Sequence, residues 1–118
     1  MAPLELHTTL NGAGDAVIAL SGELDLSSAA QLEEEIERLA AADGVERAVI
    51  DLRGLAFLDS SGLRVVTMAD RRLGAAGRRL VLVRGSETVH RVFAITKLDE
   101  RLDFVDSLET PDAGPRNG

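Results

Sequence analysis

The pattern of apolar and polar residues predicts that strands and helices alternate along this chain. Five short runs have the length and apolar character of strands: 4–10, 16–20, 48–52, 80–83 and 102–105. Residues 11–15 are rich in Asn and Gly, which favour turns, so 4–21 is predicted to be a hairpin. The runs 48–52 and 80–83 are nearly continuous, as is typical of strands buried on both faces of a parallel sheet.

Three other segments carry apolar residues at helical spacing. Ser28 and Gln31 match a capping box, which predicts a helix that begins there and ends at Asp43-Gly44. A loop after the third strand is expected to reach Asp59, and a second helix is predicted from about Ser60 to Ala75. The predicted buried faces are Leu32, Ile36, Leu39 and Ala40 in the first helix, Leu63, Val66, Ala69 and Leu73 in the second, and Val89, Val92 and Phe93 in the third, which Ser86 caps.

The resulting order, β-β-α-β-α-β-α-β, predicts the α/β class. Strands that alternate with helices form parallel pairs joined by right-handed crossovers, so we expect an open, mostly parallel sheet with an N-terminal antiparallel edge hairpin and packed helices. A length of 118 residues is that of one domain. We assign residues 1–108 to this domain and expect residues 109–118, which contain two prolines and two glycines, to be a flexible tail.

The composition argues against several classes of function. The chain has no cysteine, which rules out disulfides, thiolate metal sites and cysteine nucleophiles. Its net charge is −7, and residues 1–59 hold 12 acidic residues against three arginines, so direct binding of nucleic acid is not expected. The chain has no secretory signal pattern and no apolar run approaching about 18 residues, so we predict no membrane span and a cytoplasmic location.

The run Asp59-Ser60-Ser61-Gly62 is the most informative stretch, because it lies between a strand-like and a helix-like segment. Asp and Ser are strong helix N-caps, so we expect an exposed serine at a helix N-terminus, where a phosphate is readily held. The loop 21–25 follows the second strand at the same sheet edge, so Glu23 and Asp25 are expected to lie near Asp59 and Ser60. The alternative is that each acid only caps or closes its own loop.

Enzymatic function is disfavoured. Ser60 is not in a Gly-x-Ser-x-Gly motif, and neither a Walker loop nor a Gly-x-Gly-x-x-Gly motif is present. The two histidines are His7, on an edge strand, and His90, which is expected at the boundary of the core. Asp25 and Asp59 alone are too few ligands for a magnesium site. We therefore predict no catalytic residue, no metal and no cofactor.

Four ordered motifs carry a resemblance to a known family: Gly22-Glu23-Leu24-Asp25, Val49-Ile50-Asp51-Leu52, Phe57-Leu58-Asp59-Ser60-Ser61-Gly62-Leu63 and Val92-Phe93-Ala94-Ile95-Thr96-Lys97-Leu98. Over residues 4–108 the chain resembles the STAS domain, and among its members the single-domain bacterial anti-sigma-factor antagonists. The family usually has Gly where this chain has Lys97, and a positive φ there would cost Lys about 1–2 kcal/mol. Many relatives also end in a further amphipathic helix, for which residues 106–109 offer only about one turn.

The resemblance implies a partner switch. The unmodified antagonist binds an anti-sigma factor that is also a serine kinase, and the sigma factor is released. The kinase phosphorylates the serine at the position of Ser60, binding ends, and a PP2C-type phosphatase restores the first state. ATP and magnesium belong to the kinase, and the partner-binding residues are expected to be Glu23, Asp25, Asp59, Ser61 and Gly62. The alternative is a STAS adaptor subunit of a stress-signalling scaffold or of a lipid-transport complex.

Overall fold

A single five-stranded sheet with three helices forms the described part of the chain, residues 2–108 of a computed structural model. The elements follow the predicted order: β1 Glu5–Leu10, β2 Asp15–Leu24, α1 Ala29–Ala41, β3 Arg47–Leu58, α2 Ser60–Ala75, β4 Arg79–Val83, α3 Glu87–Ile95 and β5 Phe104–Val105. A short 3-10 turn, Leu98–Glu100, lies between α3 and β5. None of the helices within residues 2–108 is long and apolar enough to cross a membrane.

The sheet runs in sequential order from β1 to β5. β1 is antiparallel to β2, and every later neighbour is parallel, as the sequence predicted. Each crossover from β2 to β5 leads to the next strand in the same direction across the sheet. Because such crossovers are right-handed, all three helices lie on one face of the sheet. The carboxyl ends of β2, β3 and β4 consequently meet at one edge, which carries the site described below.

The helices pack against the sheet through one apolar cluster. Its strand side is formed by alternate residues such as Ile18, Ile50 and Leu82, and its helix side by residues such as Val66 and Phe93, all of them fully buried. The buried faces predicted for the helices are confirmed except for Leu63 and Val92, which are half-buried. The opposite face of the sheet carries a smaller cluster of Val49, Val81 and Val83.

The predicted loops before Asp25 and Asp59 are wrong, because both segments are strands. β2 continues to Leu24 and stays paired with β3, which continues to Leu58. Two register shifts in this pairing accompany glycines: Gly22 has φ of +91°, and a side chain at Gly54 would come within 2.6 Å of the Leu20 carbonyl oxygen. The glycine and polar residues of these two segments favour loops in general, but here they belong to a pair of strands with bulges.

The predicted capping box at Ser28 is also wrong. The Ser28 side chain makes no cap hydrogen bond to α1. Its Oγ instead accepts from the Asp25 N–H at 3.0 Å and donates to the Glu23 carbonyl at 2.9 Å. The hydroxyl thus closes the loop that precedes the helix, and the cap predicted at Ser86 is confirmed by its bond from the Val89 N–H at 3.2 Å.

The C-terminal part bears on two further expectations. Lys97 has φ of 63° in the left-handed region, and it is the one non-glycine residue with positive φ among residues 2–108. Lys97 therefore has the positive φ that is strained for a residue with a side chain. Residues 106–108 are not helical. The predicted tail, 109–118, lies outside the described residues.

Candidate functional site

Asp59 caps α2 and fixes how Ser60 is presented. The Asp59 backbone is extended, and its Oδ1 accepts from the N–H groups of Ser61 at 2.9 Å and Gly62 at 3.0 Å. Ser60 is the first residue of the helix, as predicted, and it is exposed. Its hydroxyl makes no hydrogen bond within the described chain. The site therefore presents a free hydroxyl on a capped helix end.

This cap changes one expectation from the sequence. A phosphate on Ser60 was expected to be held by the N–H groups of the helix N-terminus. The Asp59 carboxylate already occupies the N–H groups of Ser61 and Gly62. A phosphate could use those two donors only by displacing a carboxylate of the same sign.

The ends of β2 and β3 bring the two predicted loops together. Leu24 pairs with Leu58, Glu23 pairs with Phe57, and the Asp59 N–H donates to the Leu24 carbonyl at 3.3 Å. Gly62 makes this close approach possible, since a Cβ there would lie 2.7 Å from the Leu24 carbonyl oxygen. The buried Gly62 thus locks the first turn of α2 against the end of β2.

Asp25 organises the loop between β2 and α1. Its Oδ1 accepts from the Ser27 N–H at 3.0 Å and from the Ser27 hydroxyl at 2.7 Å, and it lies 3.2 Å from the Ser28 hydroxyl. The hydrogen bond from the Ser27 side chain, followed by those from Ser28 and the backbone, lowers the pKa of Asp25. The carboxylate is therefore ionised at neutral pH and holds the loop in a tight turn.

The predicted site residues do lie at one edge, but they play different structural parts. Ser60 is exposed, Glu23, Asp25, Asp59 and Ser61 are half-buried, and Gly62 is buried. The Glu23 carboxylate makes no hydrogen bond or ion pair among residues 2–108, whereas Asp25 and Asp59 each use Oδ1 for hydrogen bonds within their own loop or cap. The local interpretation is therefore confirmed for Oδ1 of these two acids, while partner binding by either of them stays a prediction.

Sequence reasoning missed two features of this edge. Ser27 and Ser28 were not recognised as the partners of Asp25, although Asp followed two and three residues later by Ser is a signal for such a turn. Leu26 and Phe57 are large apolar residues left exposed here, at 79% and 46% of their surface. Their exposure depends on tertiary packing and has no signal in the apolar pattern.

His90 and the acids offer no catalytic arrangement. His90 lies against Phe104, with ring centroids 4.9 Å apart in an edge-on contact, and its side chain is largely buried, as predicted for a boundary core residue. Burial lowers the pKa of His90, and the nearby Arg84 charge lowers it further, while Asp99 opposes both. No group of three or more His, Asp or Glu side chains within residues 2–108 is placed to hold a metal ion.

Comparison with known proteins gives concordant results. The STAS domain family model matches residues 8–110. The anti-sigma-F factor antagonist RsfB of Mycobacterium tuberculosis is 35% identical over 105 residues, which cover 89% of this chain and 84% of RsfB. RsfB is named as an antagonist of an anti-sigma factor and not as an enzyme, in agreement with the non-enzymatic function that the sequence predicts.

Solved structures agree in fold. An anti-sigma factor antagonist from Mycobacterium paratuberculosis superposes with a TM-score of 0.84 at 26% identity, covering 97% of this chain and 95% of that one. The unphosphorylated form of the anti-sigma factor antagonist SpoIIAA gives 0.78 at 28% identity, with 92% and 95% covered. The phosphorylated form of SpoIIAA, a Bacillus cell fate determinant, gives 0.71 at 27% identity, with 92% and 98% covered. By family match, sequence identity and fold, this chain belongs to the STAS domain family, alongside anti-sigma factor antagonists.

Proposed function

We propose that this protein is an anti-sigma-factor antagonist that binds an anti-sigma factor with serine kinase activity. Binding by the unphosphorylated protein releases a sigma factor, and phosphorylation of Ser60 ends the binding. A PP2C-type phosphatase removes the phosphate and restores the binding form. The proposed activity belongs to the cytoplasm, where sigma factors act.

The observation that carries the proposal is the Ser60 hydroxyl, exposed on the first residue of a helix whose cap is supplied by another side chain. A kinase can reach this hydroxyl without unfolding anything. Phosphorylation removes no hydrogen bond from the described residues, because the hydroxyl makes none there. The names of the relatives supply the class of partner, and the solved phosphorylated form of SpoIIAA supports phosphorylation as the switch.

Electrostatics explain why a phosphate would end binding. A phosphoserine adds about −1.5 to −2 of charge at neutral pH. At Ser60 this charge would adjoin the Asp59 carboxylate, which already accepts from the N–H groups of Ser61 and Gly62 in the first turn of the helix. The phosphate is therefore directed away from the helix end and toward whatever surface covers Ser60. A partner surface that fits a neutral hydroxyl would then have to cover a bulkier dianion beside the Asp59 carboxylate, and taking such a charge out of water costs several kcal/mol even where basic side chains border the contact.

The acids of the same edge give the surface its sign before modification. Glu23 lies in β2 beside Phe57, and Asp25 lies one residue beyond the end of β2. With Asp59 they form an acidic border to Ser60. A partner surface with basic side chains complements this border, and electrostatic complementarity of this kind raises association rates and specificity.

Kinase assays on the purified protein test the proposal. The anti-sigma factors of the source organism, purified singly, are incubated with the protein and ATP. The tryptic peptide 54–64, which contains Ser60 and Ser61, is then fragmented to locate the phosphate. We expect phosphate on Ser60, none after Ser60→Ala, and unchanged incorporation after Ser61→Ala.

Sigma-factor release is the second readout of the same experiment. Unmodified protein and Ser60→Ala should both release the sigma factor from the anti-sigma factor. Phosphate on Ser61 with Ser60 unmodified would refute the site assignment. Binding to none of the anti-sigma factors would refute the proposed function and favour an adaptor role.

A further inference from the structure

We infer that Leu26 and Phe57 are the apolar anchors with which this surface seats its partner, and that the partner presents an apolar recess bordered by basic side chains. The inference rests on the proposed function and specifies the partner surface for the same site. It adds an apolar contribution to a surface that the sequence describes only by its acids and serines.

Leu26 stands at the apex of a turn that is closed by hydrogen bonds within the chain. Asp25 holds the turn through Ser27 and Ser28, and the N–H groups of Ser28 and Ala29 donate to the Asp25 carbonyl at 3.1 and 2.8 Å. Leu26 is nevertheless 79% exposed. A leucine on a rigid turn loses little conformational freedom when it is buried by a partner, and that preorganisation favours affinity.

Phe57 lies next to the last residue of β3, at the same edge of the sheet. The other two phenylalanines, Phe93 and Phe104, pack against each other with ring centroids 5.2 Å apart. Phe57 is left 46% exposed, three residues before Ser60 and paired in register with Glu23. Single exposed apolar residues are ordinary on protein surfaces. Two large ones at the adjacent ends of β2 and β3, where the exposed Ser60 follows, each fixed by strand pairing or by a closed turn, are the arrangement expected of an interface centre.

The surrounding charge defines the chemistry of the recess. Glu23, Asp25 and Asp59 border the two apolar residues, so the complementary surface has basic side chains around an apolar centre. Interfaces are built in this way, with an apolar centre and a polar rim. The acids steer the encounter, while Leu26 and Phe57 slow dissociation once they are seated.

The test compares Leu26→Ala with the wild type in both binding and phosphorylation by the purified anti-sigma factor kinases. We expect at least a tenfold higher Kd by titration calorimetry. In the kinase reaction we expect at least a tenfold higher KM for the protein substrate, with kcat within twofold, because the anchor binds the substrate without touching the transferred phosphate. Phe57→Ala should behave similarly, and circular dichroism should show unchanged folding for both.

Matched variants separate anchoring from general loss of apolar surface. Leu26→Met should keep nearly full affinity, since it fills an apolar recess. Ile95→Ala removes a residue that is 73% exposed at the last position of α3, remote from Ser60, and should change Kd less than twofold. If Leu26→Ala and Phe57→Ala are phosphorylated on Ser60 with wild-type KM, the inference is overturned while the proposed function stands. If the wild type binds no anti-sigma factor, the proposed function fails and the inference fails with it.

Discussion

At the scale of single residues, Asp59 caps α2, and under the proposed function it also directs a phosphate on Ser60 away from the helix end. Asp59→Ala removes an acceptor for two backbone N–H groups, so the free energy of unfolding should fall by about 1 kcal/mol. Asp59→Asn keeps an acceptor oxygen and should retain most of that stability. Urea unfolding of the three proteins measures both effects. Equal stability of Asp59→Ala and wild type would show that the cap contributes nothing.

Substitution of Glu23 tests partner binding most cleanly, because its carboxylate makes no hydrogen bond or ion pair among residues 2–108 that the substitution would break. Glu23→Ala should raise Kd for the anti-sigma factor about threefold to tenfold and change stability by no more than about 0.5 kcal/mol. Glu46→Ala is the control, since it removes the same charge at the opposite edge, next to the start of β3. Similar losses of affinity in both variants would mean that only net charge matters. Asp25→Ala should also weaken binding, but it opens the turn that displays Leu26 as well.

Lys97 is a strained residue whose replacement should stabilise the fold. Its φ of 63° costs a residue with a Cβ about 1–2 kcal/mol, part of which is offset by the extra freedom of Gly in the unfolded chain. We expect Lys97→Gly to raise the free energy of unfolding by about 1 kcal/mol and Tm by a few degrees. Lys97→Ala retains the Cβ and should show no such gain. A loss of stability in Lys97→Gly would mean that the Lys side chain makes a compensating contact.

At the scale of elements, α3 carries a pH-sensitive contact with β5. His90 is largely buried against Phe104, and its Nδ1 has no hydrogen-bond partner among residues 2–108. Burial and the Arg84 charge lower its pKa below the ordinary value of about 6.5, against the opposing effect of Asp99. Below about pH 6.5 the unfolded chain therefore binds a proton that the folded chain resists, and the free energy of unfolding falls as the pH falls.

Urea unfolding between about pH 7.5 and 5 measures this effect of His90. His90→Leu should flatten the pH dependence of the free energy of unfolding over that interval. The same slope in wild type and His90→Leu would rule out His90 as the titrating group.

Asp51 acts at lower pH. Although burial favours the neutral form of Asp51, hydrogen bonds from the Arg53 side chain and backbone lower its pKa. Asp51 therefore stabilises the fold above its ordinary pKa of about 3.9, and that contribution is lost only at lower pH.

Elements also show how far the sequence predicts this fold. Apolar spacing, together with the cap signal at Asp59-Ser60, predicted the extent of α2, and apolar spacing predicted the order of all strands, because burial on one face imposes a helical or strand period. The same reasoning ended β2 and β3 too early, since Gly22 and Gly54 have turn propensity but pair across the sheet through bulges. Ser28 matched a capping box locally, yet its hydroxyl bonds backward to Asp25 and Glu23. The strand ends and the partners of Ser28 depend on tertiary contacts, which local sequence propensity does not predict.

At the scale of the whole molecule, the proposed switch requires no change of fold. Ser60 is exposed, and its hydroxyl takes no part in the hydrogen bonds of the described residues. The edge is fixed by Asp59, Gly62 and the paired ends of β2 and β3. The proposed phosphorylation would therefore change the charge of one preformed surface. We expect the two forms to have nearly the same structure, as judged by unchanged amide chemical shifts outside residues 57–64.

The affinity of the two forms for one purified anti-sigma factor tests the central claim most directly. Titration calorimetry should compare unmodified protein with protein phosphorylated stoichiometrically on Ser60, using the Ser61→Ala variant in both forms as a control. Because covering a phosphate dianion beside the Asp59 carboxylate costs several kcal/mol of desolvation and about 1.4 kcal/mol is a factor of ten, we predict at least a 100-fold higher Kd for the phosphorylated form. Affinities that agree within threefold would contradict the account.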